Sequence, residues 1–452
     1  MEEYKLSNNI NSDKIFITRF SELAGRLDPY YYKPEFVKLE KQLNTISFKT
    51  FHDYISDISS GATPNKSESE SYYTNRSDGV PFLRVQNIIG GELVLQDCIY
   101  INKNTHSTML KRSQVHEDNL IVTITGRIAS AAVAPKNFQG NTNQHSVVIK
   151  TANRKISEFL AAFLNSNIGQ KLALRRAAGG TRPALDYKAL FSIPIVYNEA
   201  VIDVMNNAYT QKKEKEAQAK ALSANIADYL LKELGITLPK FNNSLKNRIF
   251  ITNFSEISGK RWDSFAVFNI NFKIDGGKFK NYNLNSLAHL TKGESITSDK
   301  IIEGMYPVVA GGQVSPYSHN TYNYGGNVIT ISASGAYAGY VWYHSNPIFA
   351  SDCTVIYSRD EQCISTIFLY EILKLKQKEI YHLQQGAGQP HVYAKDLKNI
   401  QIPIPPMEKQ KELSSNIQKI RNEAKKLQEE AQEILENAKK EVEFIILGKK
   451  KI

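Results

Sequence analysis

Cysteine is scarce in this sequence. Cys98, Cys353 and Cys363 are the only three in 452 residues, and no two form a C-x-x-C pair. That excludes a disulfide framework and a cysteine-rich zinc cluster, so each is read as a small apolar residue or a bystander. The nine histidines show no H-x-x-x-H spacing, so no metal is expected. No stretch approaches the roughly 18 uninterrupted apolar residues of a membrane span. The first residues, MEEYKLSNNINSDK, lack the basic and apolar regions of a secretory signal, which makes a cytoplasmic location the expectation.

Catalytic signatures are missing too. There is no G-x-x-x-x-G-K-[ST] loop and hence no ordinary ATP-driven motor. SNPIF at Ser345 lacks the second proline of the N-P-P-[YF] motif of amino-methyltransferases, and no glycine-rich cofactor loop follows a strand. Asp28, Glu35, Asp352 and Glu361 can be assembled into a nominal nuclease set, but such spacings are common by chance. No catalytic residue and no cofactor are therefore expected.

The length exceeds what one hydrophobic core usually serves, so two or more domains are expected. An apolar fraction of 42% and a charged fraction of 22% are ordinary for a folded protein. Lys and Arg outnumber Asp and Glu by 56 to 45, a net charge of +11 that suits a polyanionic partner.

The chain repeats itself. ITRFSELAGRLD, from Ile17 to Asp28, returns as ITNFSEISGKRWD from Ile251 to Asp263. GGTRPALDYKALFSIPI, from Gly179, matches GAGQPHVYAKDLKNIQIPI, from Gly386, placing Pro183, Leu190 and Ile193 opposite Pro390, Leu397 and Ile400. The step from Phe20 to Phe254 is longer than that from Pro183 to Pro390, so matching ends enclose interiors of different length. Short runs such as VPFLRVQNI, NLIVTITG, SVVIK, NVITISASG and CTVIYS read as strands between Gly, Asn, Ser and Pro clusters. EFLAAFLNS and TIFLYEILKLK read as buried helices, so each copy is an α+β domain with a curved sheet.

Each copy then ends in a long helix. In the second, Leu413, Ile417, Ile420, Ala424, Leu427, Ala431, Ile434, Ala438, Val442 and Ile445 recur at alternating spacings of four and three, a coiled-coil seam. Pro403, Pro405 and Pro406 stand before its start, and a helix over Met407–Leu447 would be roughly 60 Å long. The first, from about Glu199 to Leu234, carries Val201, Met205, Ala208, Lys212, Lys215, Ala219, Leu222, Ile226 and Tyr229 on its seam, with a polar centre. Gly235 is a plausible stop, and ITLPKFNNSLKN reads as a linker. Two such apolar seams are expected to pack together, antiparallel about a pseudo-twofold axis.

SGATPNKSESESYY, VPFLRVQNI, TGRIASAAVAPKNFQGNTNQHSVVI and GGTRPALDYKALFSIPI, in that order, resemble a target-recognition domain of the specificity subunits of Type I restriction-modification systems. QGAGQPHVYAKDLKNIQIPIPPMEKQKEL resembles that family's junction between recognition domain and spacer helix. The first junction, IPIVYNEAVIDVM, lacks the Pro-Pro and Glu-Lys-Gln cluster, and LTKGESITSDK stands where the second copy would carry a GxTP element. The resemblance implies two target-recognition domains, 1–198 and 236–406, and two antiparallel coiled-coil spacer helices, 199–235 and 407–452. It further implies a non-catalytic subunit that reads a bipartite, asymmetric target in double-stranded DNA. Two modification subunits, and further restriction subunits, would be its partners, with no membrane involved. A non-catalytic coiled-coil scaffold with two ligand-binding domains is the alternative, which the net charge disfavours.

Base reading in the major groove wants Arg or Lys for guanine and Asn or Gln for adenine. The first domain offers Asn65, Lys66, Arg84, Gln86, Asn87, Arg127, Asn143, Gln144 and His145, although Asn143 and Gln144 also suit turn backbone. Arg175, Arg176 and Arg182 flank a Gly-Gly turn and are expected at phosphates. The second domain offers Lys292, Ser295, Thr297, Gln313, Ser332, Ser334, Tyr337, Gln385, Gln389 and His391, a set richer in hydroxyl and aromatic groups, as shape or water-mediated readout would use.

Overall fold

A computed structural model describes residues 6–448 except 8, 12, 13, 24, 47, 66, 67, 239–250, 252, 258–273 and 387. Much of the second copy of the ITxFSE repeat and most of the linker lie outside the described residues. The chain forms two compact units, residues 1–217 with 427–452, and residues 218–426.

In the first unit a four-stranded antiparallel sheet has β1 (Ile55–Ser60), β3 (Leu120–Thr123), β4 (Ala131–Val133) and β6 (Ser146–Thr151) in the order β4-β3-β6-β1. Against it lies a five-stranded sheet in which β2 (Val80–Leu83) runs parallel to β5 (Gln139–Thr142), Leu83 pairing with Thr142. The apolar runs are unbroken because β3 and β6 are covered on both faces. Leu120, Val122, Val147 and Ile149 face one core with Phe159 and Phe163, while Ile121 and Val148 face another with Leu83, Ile88 and Val115. This is the two-residue period of a strand with both faces used. α1 (Pro34–Leu43), α2 (Arg154–Asn165) and α3 (Asn167–Arg176) complete the unit. Asn153 caps α2 and Ser166 caps α3, each side chain accepting from a backbone N–H of the first turn.

The long helices are α4 (Ala200–Leu234) and α6 (Met407–Ile446), and each contributes to both units. In the first unit Val201, Met205 and Ala208 share a core with Ala438, Val442 and Ile445. The polar centre of α4 is answered there by an ion pair, Lys215 Nζ to Glu430 Oε2 at 2.7 Å. In the second unit Tyr229 accepts from Asn416 Nδ2 at 2.9 Å and Glu233 meets Lys409 at 2.7 Å, which sets the helices antiparallel.

The second unit repeats the four-stranded sheet of the first strand by strand, while its accompanying sheet has three strands where the first unit has five. β7 (Ala288–Lys292), β9 (Val328–Ser332), β10 (Val341–His344) and β12 (Cys353–Ser358) take the order β10-β9-β12-β7, and β8 (Tyr306–Val309) runs parallel to β11 (Phe349–Ala350). Ile329, Ile331 and Ile356 face the core shared with α5 (Thr366–Leu375), and Val328 and Val355 face the other side. Ser146 pairs with Thr123 as Cys353 pairs with Ser332, and Val147 with Ser60 as Thr354 with Lys292. Ser60 and Lys292 are therefore equivalent, and so are Gly61 and Gly293. The same close approach explains both glycines: a Cβ at Gly61 would strike the Thr142 carbonyl oxygen, and one at Gly293 that of Ser351. Gly293 thus fills the place of the missing GxTP glycine.

The junction motif also acquires a physical reason. Buried Gln410 donates to the carbonyls of Cys363 at 2.9 Å and Pro405 at 3.0 Å and accepts from Ser365 N at 3.0 Å, fixing the start of α6 on its domain. Cys353 is buried and Cys363 exposed. Among the described residues no helix is long and apolar enough to cross a membrane, and no three His, Cys, Asp or Glu form a metal-holding group.

Candidate nucleic-acid interface

Antiparallel order dictates where the candidate side chains gather. The last residues of β1 and β3 and the first of β6 lie at one end of the sheet. Residues 61–65, 124–130 and 143–145 therefore share that end. Thr63 Oγ1 donates to Gln144 Oε1 at 2.6 Å, and His145 Nδ1 shares a 2.6 Å hydrogen bond with Thr125 Oγ1. Thr125 bridges to Ala184, which brings the 179–184 turn alongside. Gly179 holds φ at +103°, the left-handed conformation that lets this turn fold back so that Ala178 and Ala184 exchange both backbone hydrogen bonds. Asn65, Gln86, Arg127, Gln144, His145 and Arg182 are exposed around this end. Lys66 lies outside the described residues.

Other candidates of the first unit serve the fold. Asn87 is buried, its Oδ1 accepting from Arg84 N at 2.9 Å and its Nδ2 donating to Val94 O at 2.9 Å. Asn143 is buried and accepts from His145 N, the turn role that competes with base reading. Arg84 is half-buried and reaches Asp97 O at 3.4 Å.

Arg175 and Arg176 correct the expectation of phosphate contact. Both guanidiniums turn inward and pair with Glu40 of α1. Arg175 donates to Tyr31 O at 3.0 Å and lies 4.3 Å from the Tyr31 ring centroid, and Arg176 donates to Ser192 Oγ at 3.0 Å and Leu172 O at 3.1 Å. Burial pulls the Arg176 pKa down to about 10. Their neighbour Arg26 donates to the carbonyls of Arg176 and Ala177, covering the end of α3. This cluster ties the ITRFSELAGRLD segment to the domain and leaves Arg182 as the outward cation of the turn.

The second unit builds the same end with different side chains. Ser334 bridges to His391, and Gln385 to His391, just as Thr125 does to Ala184 and Ala178 to Ala184. Ser334 Oγ donates to Asp352, and Gln385 Nε2 donates to Asp396 Oδ2 at 2.6 Å, so both side chains are oriented by carboxylates. His391 stacks on exposed Tyr393 at 6.0 Å with the planes 14° apart. Lys292, Ser295, Thr297, Gln313, Tyr337 and Gln389 are exposed. Ser332 is buried and spends its hydroxyl on Ala310 O at 3.4 Å, which removes it from the surface. Tyr393 joins this end without having been singled out from the sequence; its signal was an aromatic two residues beyond His391.

Two cavities lie in the first unit, the first of them reaching these loops at Arg127. One, of about 460 Å³, lies between Arg127, the Gly90 turn and the α4 residues Tyr209 and Lys212. The other, of about 510 Å³, is lined by Lys111, Arg112, His116 and Lys150, a basic set that base-reading rules did not select.

The chain matches the family model for the Type I restriction modification DNA specificity domain twice, over residues 53–197 and 277–437. It belongs to that family. A putative type I specificity subunit of Mycoplasma pneumoniae is 28% identical over 143 residues, 30% of this chain and 38% of that protein. The Type I restriction enzyme MjaVIII specificity subunit of Methanocaldococcus jannaschii is 28% identical over 131 residues, 27% of this chain and 31% of that protein. The chain thus spans about a third of the length of the curated relatives it matches. Among solved structures, the S subunit of a Type I restriction-modification system from M. genitalium covers 89% of this chain and 95% of its own, at 15% identity and a TM-score of 0.43. A chain from a structural study of assembly and conformational transition in the type I R-M system covers 89% and 96%, at 17% identity and a TM-score of 0.48.

Proposed function

We propose that this chain is the DNA-reading subunit of a Type I restriction-modification complex and makes or breaks no bond itself. Each unit reads one half of a bipartite target at the loop end of its sheet. Double-stranded DNA is the ligand, and two modification subunits are the partners it positions, with restriction subunits joining them in the cytoplasm. The reading keeps recognition domains at 1–198 and 236–406 and spacers at 199–235 and 407–452, the latter paired about a pseudo-twofold axis.

The observation that carries this reading is divergence on a shared frame. Where the backbone bridges coincide, the first unit presents Arg127 and Ala184 and the second Ala336 and His391. One frame bearing two side-chain sets fits two different half-sites, and hence an asymmetric target. The test is co-expression with a modification subunit from the same genome, followed by genome-wide mapping of adenine methylation. A split, asymmetric motif is expected; methylation on a continuous motif, or none, sinks the reading. A non-catalytic scaffold that binds protein would instead leave affinity for random duplex DNA flat with rising salt, whereas a DNA reader loses it steeply.

A further inference from the structure

The cavity beneath β1 is a cationic feature of the first unit that base reading leaves unused. Lys111 and Arg112 lie on a 3-10 turn, Lys111–Ser113, just before the strand Gln114–His116. Lys150 comes from β6. All three are exposed, and the single carboxylate of the lining, Asp57, meets only Lys150, at 2.9 Å. Glu117, next along the chain, is turned away and accepts from Asn137 N at 2.9 Å. Three cations against one carboxylate leave a positive concavity.

Its position gives it meaning. Arg112 Nε donates to Ser60 O at 3.0 Å, the residue before Gly61, and Ser113 Oγ lies 2.9 Å from where a Gly61 Cβ would be. Arg112 and Ser113 therefore tie the cavity, which runs along Asp57–Ser59, to the residues that lead into the 61–65 turn, whose Thr63 holds Gln144. In the second unit the turn that carries Arg112 has no counterpart among the described residues. There the residue equivalent to Ser60 is itself a cation, exposed Lys292. Two diverged interiors place positive charge at one register position by different routes: a guanidinium reaching over the strand, and a lysine on it.

We propose that this position is a backbone-phosphate seat: Lys111 and Arg112, with Lys150, hold one phosphate of the duplex flanking the half-site of the first unit, and Lys292 holds its counterpart in the second. The seat fixes the register of the duplex against the reading loops and carries no sequence information, as phosphate contacts do. It rests on the DNA-reading proposal and adds to it the groups that orient the DNA.

The test uses the full chain and duplexes of random and of target sequence, with affinity measured by fluorescence anisotropy across a salt series. For the Lys111→Gln/Arg112→Gln variant, the slope of log affinity against log salt should become shallower by about one, and both duplexes should weaken by the same factor. Lys292→Gln should do the same independently. Arg112→Lys, which keeps the charge, should keep the slope. Lys111→Gln alone, an exposed change remote from the core, guards against misfolding and should give a part of the effect. An unchanged slope in both the double variant and Lys292→Gln, with wild type still steeply salt-dependent, overturns the seat and spares the DNA reading. Loss confined to the target duplex also overturns it, because the cations would then be reading bases. A wild type whose affinity ignores salt overturns the DNA reading and the seat with it.

Discussion

Glu40 compensates two guanidiniums that burial would otherwise penalise heavily. Removing one partner of a buried pair costs about 3–5 kcal/mol because a charge is left without its counter-ion. Glu40→Gln should therefore destabilise the first unit by about that much in urea titration, while the salt slope for DNA stays that of wild type. A changed slope would return Arg175 and Arg176 to the phosphates. His344 offers a second test at this scale. Its ring is buried, Nε2 lies 2.8 Å from Thr330 Oγ1, and burial pulls its pKa down to about 4 from an ordinary 6.5. A base whose folded pKa is depressed binds its proton more readily in the unfolded chain. Stability from this group is complete above pH 6.5 and is lost as pH falls towards 4, on the order of 3 kcal/mol. Relative to a His344→Gln variant, the wild type should lose stability across that window; parallel pH profiles would contradict the assignment.

Elements whose pattern is local were legible before the structure. The seam Leu413–Ile417–Ala424–Ala431 announces α6 because each residue speaks for its own face of one helix, and α6 indeed runs Met407–Ile446. The runs NLIVTITG and SVVIK announce strands for the same reason. What stayed hidden depends on pairs far apart in sequence. Nothing near Arg175 reveals that Glu40 will meet it, and nothing in QNI distinguishes a base-reading Asn87 from one that closes a turn. Gly293 was hidden because its neighbours lack Thr-Pro; only its contact with Ser351 reveals the role it shares with Gly61. That equivalence predicts matched costs. Gly61→Ala and Gly293→Ala should each destabilise their unit by about 1–3 kcal/mol, since a methyl group must displace backbone. Gly180→Ala, where a Cβ meets nothing within 4 Å, is the neutral control. Equal thermal stability of all three variants would refute the close-approach argument.

At the scale of the whole molecule, the proposed reading turns helix length into a property of the DNA target. Deleting one heptad from α4 and the matched heptad from α6 shortens each by about 10.5 Å at 1.5 Å per residue. Duplex DNA rises about 3.4 Å per base pair along each strand, so the unread gap between the half-sites should shrink by about three base pairs. A heptad spans nearly two full helical turns, which keeps the seam of Met205, Ala208, Ala431 and Ala438 in register. The DNA does not keep its own phase so well. Three base pairs are close to a third of a B-DNA turn of about 10 base pairs, so one half-site rotates away from its reader. The shortened chain should consequently bind its new target more weakly than the wild type binds its own, while each half-site sequence stays the same. Methylation mapping of the shortened chain with its modification subunit separates the possibilities. A gap shortened with both half-sites intact supports the spacer as a ruler. A gap unchanged at full affinity would mean that the recognition domains are spaced by something other than these helices.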